Sequence, residues 1–456
     1  MTFAYGLIKI YSVMNIQLSD HFTAKKLIRF VLPSIVMMIF TSIYSVVDGF
    51  FVSNYTGKTP FAAVNLIMPF IMVIGALGFM FGTGGSALVS KTMGEGNSKK
   101  ANELFSLIVY AVLLSGILLS VIGELVLEPV SVLLGADEAM LPYCVLYGRI
   151  SFISMPFFML QNVFQSFFVT AERPRLGLAV TVLAGVNNMV LDFLLVGVLG
   201  MGVRGAAIAT MVSEFLGGGI PLIYFFARNS TRLRLGKTRF DGTSLLKACT
   251  NGASELMTNL SMSLVNMVYN HQLIRFFGED GVAAYGVIMY VNFIFISVFV
   301  GYAIGVAPIV GYSYGAENRE ELKNIFKKSN AFNAAGGMAM LAFAFGMSSL
   351  LAKLFVSYDA ALYALTLKAF RLYITSYLLA GFNIFASAFF TALNNGAVSA
   401  AISFVRTLLF QIAAVFLLPL LFGTDAIWLA MTAAEILSLC VSAFFILTKR
   451  KQYGYI

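Results

Sequence analysis

The segment GEGNSKKANELF at residues 94–105 returns as GAENREELKNIF at residues 315–326, 221 positions later in a chain of 456 residues. The same offset, without a gap, matches glycine and polar pairs elsewhere: Gly57 with Gly278, Gly84 with Gly305, Asn162 with Asn383, and Glu214 with Glu435. Apolar sequence matches itself often by chance, but one constant offset over glycine and polar positions does not arise that way. The chain is therefore predicted to be an internal duplication.

The composition around these segments is that of a membrane protein. Hydrophobic residues make up 59% of the chain and charged residues 11%, and the mean hydropathy is +0.87. Soluble domains carry about a quarter charged residues. Spans in lipid must be helices or a closed barrel, and continuous apolar runs of roughly 20 residues indicate helices. The prediction is an all-α integral membrane protein.

Twelve apolar runs are long enough to cross a hydrocarbon core of about 30 Å. The predicted spans are 27–52, 61–90, 104–123, 141–169, 176–198, 205–227, 246–274, 282–312, 326–351, 362–390, 398–421 and 426–447.

Basic residues predict the orientation of these spans. With the N-terminus inside the cell, 22 of the 30 Lys and Arg residues fall on the inner side and seven on the outer side, while Arg406 lies within a span. This bias follows the positive-inside rule. It explains the net charge of +9 without a nucleic-acid partner, and places the chain in the cell membrane with both termini cytoplasmic.

Each repeat holds six spans, so both repeats enter from the same side. Two parallel six-helix lobes around a central cavity are typical of a transporter, although duplicated bundles also form channels and scaffolds. The predicted divisions are a cytoplasmic lead at 1–22, an N-lobe at 23–230, a linker at 231–243, a C-lobe at 244–448 and a tail at 449–456.

Several other classes of site are not indicated. The three cysteines and two histidines lack metal-ligand or redox spacing, and no disulfide framework is predicted. The one GKT segment, at 57–59, lacks the first glycine of a phosphate-binding loop. No cofactor is therefore expected apart from a coupling ion. The first residues do not resemble a cleaved signal peptide, and either Met1 or Met14 is the start of the protein.

Carboxylates inside the spans are the leading candidates for function, because a charge in lipid is costly and normally marks a pathway or an ion site. Asp48 and Tyr44 share one face of span one, and Asp192 and Asn188 share one face of span five. At 1.5 Å per residue these groups and Thr210 of span six reach the outer half of the membrane. They are predicted to converge on one oxygen-lined site for Na⁺ or H⁺.

The alternative is that Asp48 and Asp192 only end their helices near the headgroups. The second repeat argues against this, because a structural requirement of the fold would appear in both copies. Tyr44, Asp48, Asn188, Asp192 and Thr210 correspond there to Val265, Tyr269, Leu409, Ala413 and Met431.

Further polar residues are candidates for the cavity wall. Glu255 lies near the middle of span seven with Asn259 beside it, and is either a cationic-substrate contact or a buried, hydrogen-bonded group. Gln161 and Asn162 of span four are further cavity candidates. Pro33 precedes Asp48 in span one, where it either kinks the helix or begins it. Glu214 and Glu435 are interpreted as structural residues that pair near the lobe ends.

These features together resemble the MATE (multidrug and toxic compound extrusion) family of transporters, and within it the bacterial MepA-like branch. The resemblance spans nearly the whole chain: the two six-helix repeats, VDGFFVSNYTG at 47–57, GTGGSALVSKTMGEGN at 82–97 and VAPIVGYSYGAEN at 306–318. It implies H⁺- or Na⁺-coupled antiport of organic cations and drugs. It also implies a first-lobe cation site at Asp48, Asn188, Asp192 and Thr210 with Tyr44, and a kinking role for Pro33.

One feature departs from the family pattern. Some members use a second-lobe site with a Glu in span seven and an Asp in span ten, but span ten of this chain has neither Asp nor Glu. Glu255 would stand alone there, so the first-lobe site carries the prediction.

The competing functions are a flippase for a lipid-linked oligosaccharide and a membrane-embedded enzyme. A flippase would need several cationic residues for pyrophosphate, whereas the ionisable residues within these spans are chiefly acidic. An enzyme would need a catalytic constellation that two peripheral histidines do not supply, so no enzymatic activity is predicted. The expected partners are small lipophilic or cationic substrates and membrane lipids, and the expected state is a monomer.

Overall fold

The computed structural model describes residues 16–456, so the choice of start between Met1 and Met14 lies outside the described residues. This part of the chain is helical throughout, with short connections. We number the membrane-spanning helices in chain order. The first six are α1 Ala24–Tyr55, α2 Lys58–Gly94, α3 Ser98–Leu133, α4 Leu141–Thr170, α5 Pro174–Leu191 with a π-helical extension Asp192–Val198, and α6 Gly202–Phe226.

The second repeat begins with one helical run of 74 residues, Gly242–Gly315, which bends at Gly278. Gly278 has a φ of 64° and a ψ of −150°, a conformation that only glycine adopts easily. The bend divides the run into two spans, α7 at 242–277 and α8 at 279–315. Gly57, which separates α1 from α2 at the matching place in the first repeat, also has a positive φ, of 91°.

The remaining helices complete the second repeat. They are α9 Arg319–Val356, α10 Ala360–Ala392 with a 3₁₀ turn at Ile374–Ser376, α11 Gly396–Phe422 with a π-helical segment at Val405–Leu409, and α12 Ala430–Tyr453. The predicted fold of twelve helices in two repeats is confirmed. The last helix runs on to Tyr453, through most of the segment predicted to be a tail.

The repeat is visible in how equivalent helices begin. The Oδ1 atoms of Asn97 and Asn318 accept hydrogen bonds from backbone amides three residues later, at 3.0 Å in both cases. Each asparagine thereby satisfies an amide that the first helical turn leaves free. The duplication therefore repeats the sequence signals for local structure as well as the apolar pattern.

A π-helical segment interrupts the fifth helix of each repeat. In α5 it begins at Asp192, and in α11 it contains Arg406. A π turn carries one residue more than an α turn and changes the direction in which later side chains point, and such turns are frequent at functional sites. In both repeats an ionisable residue lies at this irregularity.

The two repeats meet along the half of the bundle that carries both described chain ends. A Cβ added to Gly94 would collide with the carbonyl oxygen of Tyr312, and one added to Gly315 would collide with that of Lys91. These contacts are related by the same offset of 221 residues. Small residues at these crossings allow backbone to approach backbone.

Towards the other end the repeats separate. Ser42 of α1 donates to the carbonyl oxygen of Phe293 in α8 at 3.2 Å, near the middle of both helices. Within residues 16–456, no hydrogen bond joins the repeats farther from the chain ends than this one. The two repeats are therefore in closest contact at the end that carries both described chain ends.

The chain segment before α1 crosses this closed end and contacts both repeats. The amide of Leu18 donates to Glu172 of the first repeat at 2.9 Å, and the amide of Phe22 donates to Glu321 of the second at 3.0 Å. The connection between the repeats, residues 227–241, lies on the same face. There the amide of Arg234 donates to Asn102 at 2.6 Å.

Pro33 lies inside α1, nine residues after its start, and is buried. The interpretation of Pro33 as the residue that begins the helix is therefore wrong, because Thr23 caps α1 well before it. A proline at this depth removes one hydrogen bond from the helix.

Candidate functional site

The structure brings Asp48 of α1 into contact with Asp192 of α5. The Asp48 carboxyl lies within hydrogen-bonding reach of Asp192 and of Thr210 in α6. Asp192 is fully buried, and Asp48 is half-buried. Three helices therefore place these groups together, because Asp48 and Asp192 come late in helices that run the same way while Thr210 comes early in the helix that runs back.

The oxygen atoms of this cluster lack hydrogen-bond donors. Neither carboxylate oxygen of Asp192 has one, since its neighbour in the contact is another acceptor, and Oδ1 of Asp48 and Oδ1 of Asn188 are also without one. A buried acceptor without a partner is costly, and two carboxylates in contact cannot both hold their charge unaided. The arrangement is suited to hold a proton or a small hard cation between the oxygens.

Two tyrosines surround this cluster. Tyr147 of α4 is buried beside the two aspartates and lies close to Thr210. Tyr44 lies one helical turn before Asp48 and close to Gln161 of α4. The sequence analysis identified Tyr44 and missed Tyr147. The latter lies in an apolar span with no acidic residue near it in the sequence, so only the packing of α4 reveals its position.

Glu214 of α6, interpreted from sequence as structural, faces a pocket instead of a partner. It lies one turn beyond Thr210 and close to Ser154 of α4. Both Glu214 and Thr210 line this pocket between α2, α4 and α6. The rest of its wall is Met68, Ile71, Met72, Tyr147, Ser151, Met155 and Phe158.

These three carboxylates have no ion-pair partner within the described residues. Among residues 16–456, the ion pairs within 4.0 Å involve other acidic groups, and none includes Asp48, Asp192 or Glu214. The described part of the first lobe therefore carries three acidic groups in its interior that only an external cation or a proton can neutralise.

The equivalent carboxylate of the second lobe lies in a different environment. Glu435, the repeat counterpart of Glu214, is fully buried and accepts from Nη2 of Arg406 at 2.7 Å and from its Nε at 2.9 Å. Asn383 donates a further hydrogen bond to Glu435 at 2.6 Å. The interpretation of Glu435 as structural fits this environment, but its partner is Arg406, not Glu214.

The other predicted cavity residues lie in two different environments. Glu255 of α7 is half-buried on the Arg406 side of the second lobe, and Asn259 donates to its backbone oxygen at 2.8 Å. Gln161 and Asn162 are 8% and 6% exposed inside the first lobe. Gln161 packs on Gly217, and the Asn162 side-chain amide donates to a carbonyl oxygen of its own helix. Their place in the substrate cavity stays a prediction.

Comparison with known proteins gives a consistent family assignment. The family model described as MatE matches residues 33–194 and again residues 256–417, once in each repeat. A protein named Multidrug export protein MepA, from Staphylococcus saprophyticus, is 23% identical over 417 residues, which cover 91% of this chain and 92% of that protein. The protein of the same name from Staphylococcus aureus is 22% identical over 420 residues, with the same coverage.

Solved structures share the fold. One described as the outward-facing conformation of a multidrug resistance MATE family transporter of the MOP superfamily aligns with a TM-score of 0.90. Its sequence is 22% identical, and the alignment covers 96% of this chain and 98% of that one.

Proposed function

This chain belongs to the MATE family of membrane transporters, and from that premise we propose that it exports organic cations in exchange for H⁺ or Na⁺. The family membership, together with relatives named as multidrug exporters, supports small-molecule export over lipid flipping and over enzymatic activity. The ion that drives export would bind in the first lobe.

The observation that carries the proposal is that Asp48 lies against Asp192 inside a membrane-spanning lobe, where both oxygens of Asp192 and Oδ1 of Asp48 lack hydrogen-bond partners. Asn188 and Thr210 supply the further oxygen ligands that a bound Na⁺ would use, and Tyr44 lies against the same site. If H⁺ is the driving ion, the two carboxylates share the proton. Occupation removes the repulsion between them, so loading and release of the ion would change how α1 packs on α5.

Export requires that the cavity open alternately to each side of the membrane. The excess of basic residues at the end that carries the termini supports a cytoplasmic location for that end. The crossing at Gly94 and Gly315 would then face the cytoplasm, and the cavity would be closed on that side. A C-terminal fusion to green fluorescent protein would fluoresce in bacteria under this orientation and stay dark under the opposite one.

One chain supplies both lobes of the proposed cavity, and we propose that the protein works as a monomer surrounded by membrane lipid. The pocket wall contains Met68, Met72 and Phe158. Polarizable methionine and aromatic side chains accommodate varied lipophilic molecules, which supports drug-like cations as substrates.

The test is transport of ethidium by the full-length protein in proteoliposomes, with an H⁺ gradient and a Na⁺ gradient imposed separately. We expect one gradient to drive transport in the parent. Asp48→Asn and Asp192→Asn should reduce it to the level of protein-free liposomes, because each removes a charge on which coupling depends. Asp280→Asn, at an exposed position beyond the bend at Gly278, is the matched control.

Absence of transport under either gradient, with folded protein in the liposomes, would overturn the antiporter. Transport that survives both aspartate substitutions would retain an exporter and exclude this ion site. The identity of the effective gradient decides between H⁺ and Na⁺.

A further inference from the structure

Glu214 is a carboxylate separate from the two aspartates that the proposed mechanism uses, and a role for it rests on that proposed function and deepens it. Glu214 differs from its repeat counterpart Glu435 in how its charge is neutralised. The fold places a glutamate at this position of the sixth helix in both lobes, half-buried in the first and fully buried in the second, but only Glu435 has a cation as its partner among the described residues.

In the second lobe the neutralising cation is part of the protein. Arg406 lies on the fifth helix of its repeat, and its guanidinium binds Glu435 through two nitrogens. The residue at the matching position of the first repeat is Gly185. A Cβ on Gly185 would lie 2.6 Å from the Phe40 ring and 2.7 Å from the Tyr44 ring, so this place is occupied by aromatic side chains.

The first lobe therefore has no room for an arginine on that side of Glu214. The opposite side of Glu214 faces the pocket between α2, α4 and α6. Met72 is 40% exposed and forms the most open part of the pocket wall. It lies on α2, the helix that crosses the second lobe farther along its length. The entrance of the pocket for a ligand would therefore be at Met72.

The wall of the pocket distinguishes between kinds of cation. Three methionines and a phenylalanine face the space beside the carboxylate: Met68, Met72, Met155 and Phe158. Sodium prefers oxygen ligands, whereas organic cations gain from polarizable sulfur and from aromatic faces. The chemistry of the wall suits an organic cation better than a metal ion.

We propose that Glu214 is the anionic anchor for the substrate, and that the positively charged group of an organic cation binds there against the methionine wall. The positive charge of the ligand lies beside Glu214 at the mouth of the pocket, while the rest of the molecule lies outside it. Arg406 is the permanent cation beside Glu435 in the second lobe, and each substrate in turn is the cation beside Glu214 in the first lobe. Asp48 and Asp192 remain free for the driving ion.

The test measures equilibrium binding of tetraphenylphosphonium, a lipophilic cation, and of N-phenyl-1-naphthylamine, a neutral aromatic probe, to the full-length protein in nanodiscs. Glu214→Gln should weaken tetraphenylphosphonium binding roughly 10- to 100-fold, the range for a partly buried charge-assisted contact, and leave the neutral probe within a factor of about two. Glu214→Asp, which keeps the charge, should lie between parent and Glu214→Gln. Glu128→Gln, at an exposed carboxylate of α3, is the control and should bind like the parent.

Unchanged tetraphenylphosphonium affinity in Glu214→Gln would overturn the proposal. Equal loss of both probes would also overturn it, since it would indicate collapse of the pocket and not loss of a charge. A monodisperse elution profile for each variant guards against misfolding, and Glu214→Asp keeps the test informative if Glu214→Gln does not fold.

Binding needs no ion gradient, so this proposal and the proposed antiport fail separately. Gradient-driven transport in the parent together with unchanged binding in Glu214→Gln removes only the anchor. Charge-dependent binding at Glu214 in a protein that neither gradient drives removes only the coupling.

Discussion

The two lobes have the same fold and opposite internal electrostatics. The first lobe leaves Asp48, Asp192 and Glu214 without a cation, whereas the second pairs Glu435 with Arg406 and replaces the first aspartate by Tyr269. The Tyr269 hydroxyl donates to the carbonyl oxygen of Ile427 at 2.5 Å, so its polar group is satisfied within the lobe. In the second lobe Glu435 is paired with a cation of the protein, whereas the acidic groups of the first lobe need an external cation or a proton.

What the lobes share is the surface by which they meet. The glycines at 94 and 315 contact each other's repeat in the same way, and both repeats cap the following helix with asparagine. Duplication therefore preserved the crossing and the chain reversals, while the interiors diverged. This division suggests that the second lobe serves mainly as the partner against which the first lobe moves.

The largest expected difference between the lobes is in transport. Asp48→Asn should abolish gradient-driven ethidium transport in proteoliposomes, because the driving ion loses a ligand. Tyr269→Phe, at the matching position of the second lobe, removes one hydrogen bond worth about 1 kcal/mol. It should leave the transport rate within about threefold of the parent. Comparable losses in both variants would show that the two lobes contribute equally to coupling.

The next largest difference is in stability. Arg406→Gln leaves Glu435 as a buried charge without its partner, which should cost about 3–5 kcal/mol. We expect a clear fall in the thermal unfolding midpoint of the purified protein. The double variant Arg406→Gln/Glu435→Gln should recover much of it, since it removes the isolated charge as well.

Glu214→Gln in the first lobe is the matched comparison for this pair. It removes no ion pair and should change the unfolding midpoint little, with a free-energy effect below about 1 kcal/mol. If Glu214→Gln destabilised the protein as much as Arg406→Gln, the first lobe would also depend on its glutamate for folding.

The shared crossing predicts effects of equal size in the two lobes. Gly94→Val and Gly315→Val each place a side chain against the backbone of the opposite repeat, and overpacking of this kind costs roughly 1–3 kcal/mol. Both should therefore disfavour closure at the end that carries the termini. Labelling of a single cysteine introduced at that crossing should rise to a similar degree in both variants, whereas Gly286→Val, in open space, should leave it unchanged. A large effect in only one glycine variant would contradict the symmetry of the crossing.

The smallest expected effect concerns Glu172, the first-lobe residue that binds the segment before α1. Burial raises the pKa of Glu172 above its ordinary value of 4.5. The amide of Leu18 and the charge of Arg232 oppose this effect, and Asp20 adds to it. A raised pKa in the folded state contributes stability below pH 4.5 that is lost as the pH rises through the raised value.

Glu172→Gln keeps an acceptor for Leu18 and removes this dependence. The unfolding midpoint of the parent should therefore fall relative to the variant as the pH rises from about 4 to 8, by an amount equivalent to less than about 1 kcal/mol. Parallel curves for the two proteins would show that Glu172 does not couple pH to this contact.

The amino-acid sequence alone was sufficient for the architecture. Helix length and hydropathy are local properties, so the twelve spans follow from runs of about 20 apolar residues, and the offset of 221 residues reveals the duplication directly. The convergence of Asp48, Asp192 and Thr210 was also predictable, because the rise per residue places groups on different helices at one depth.

Depth along a helix does not specify which neighbour a side chain faces, and that was decided only by the tertiary structure. Rotation of each helix depends on packing, and the π-helical turns at Asp192 and Arg406 change it again. For this reason the sequence did not reveal that Tyr147 lies beside the aspartates, that Glu435 pairs with Arg406, or that Glu214 faces a pocket. Each of these depends on contacts between helices, whose geometry is determined by the shapes of all the side chains between them.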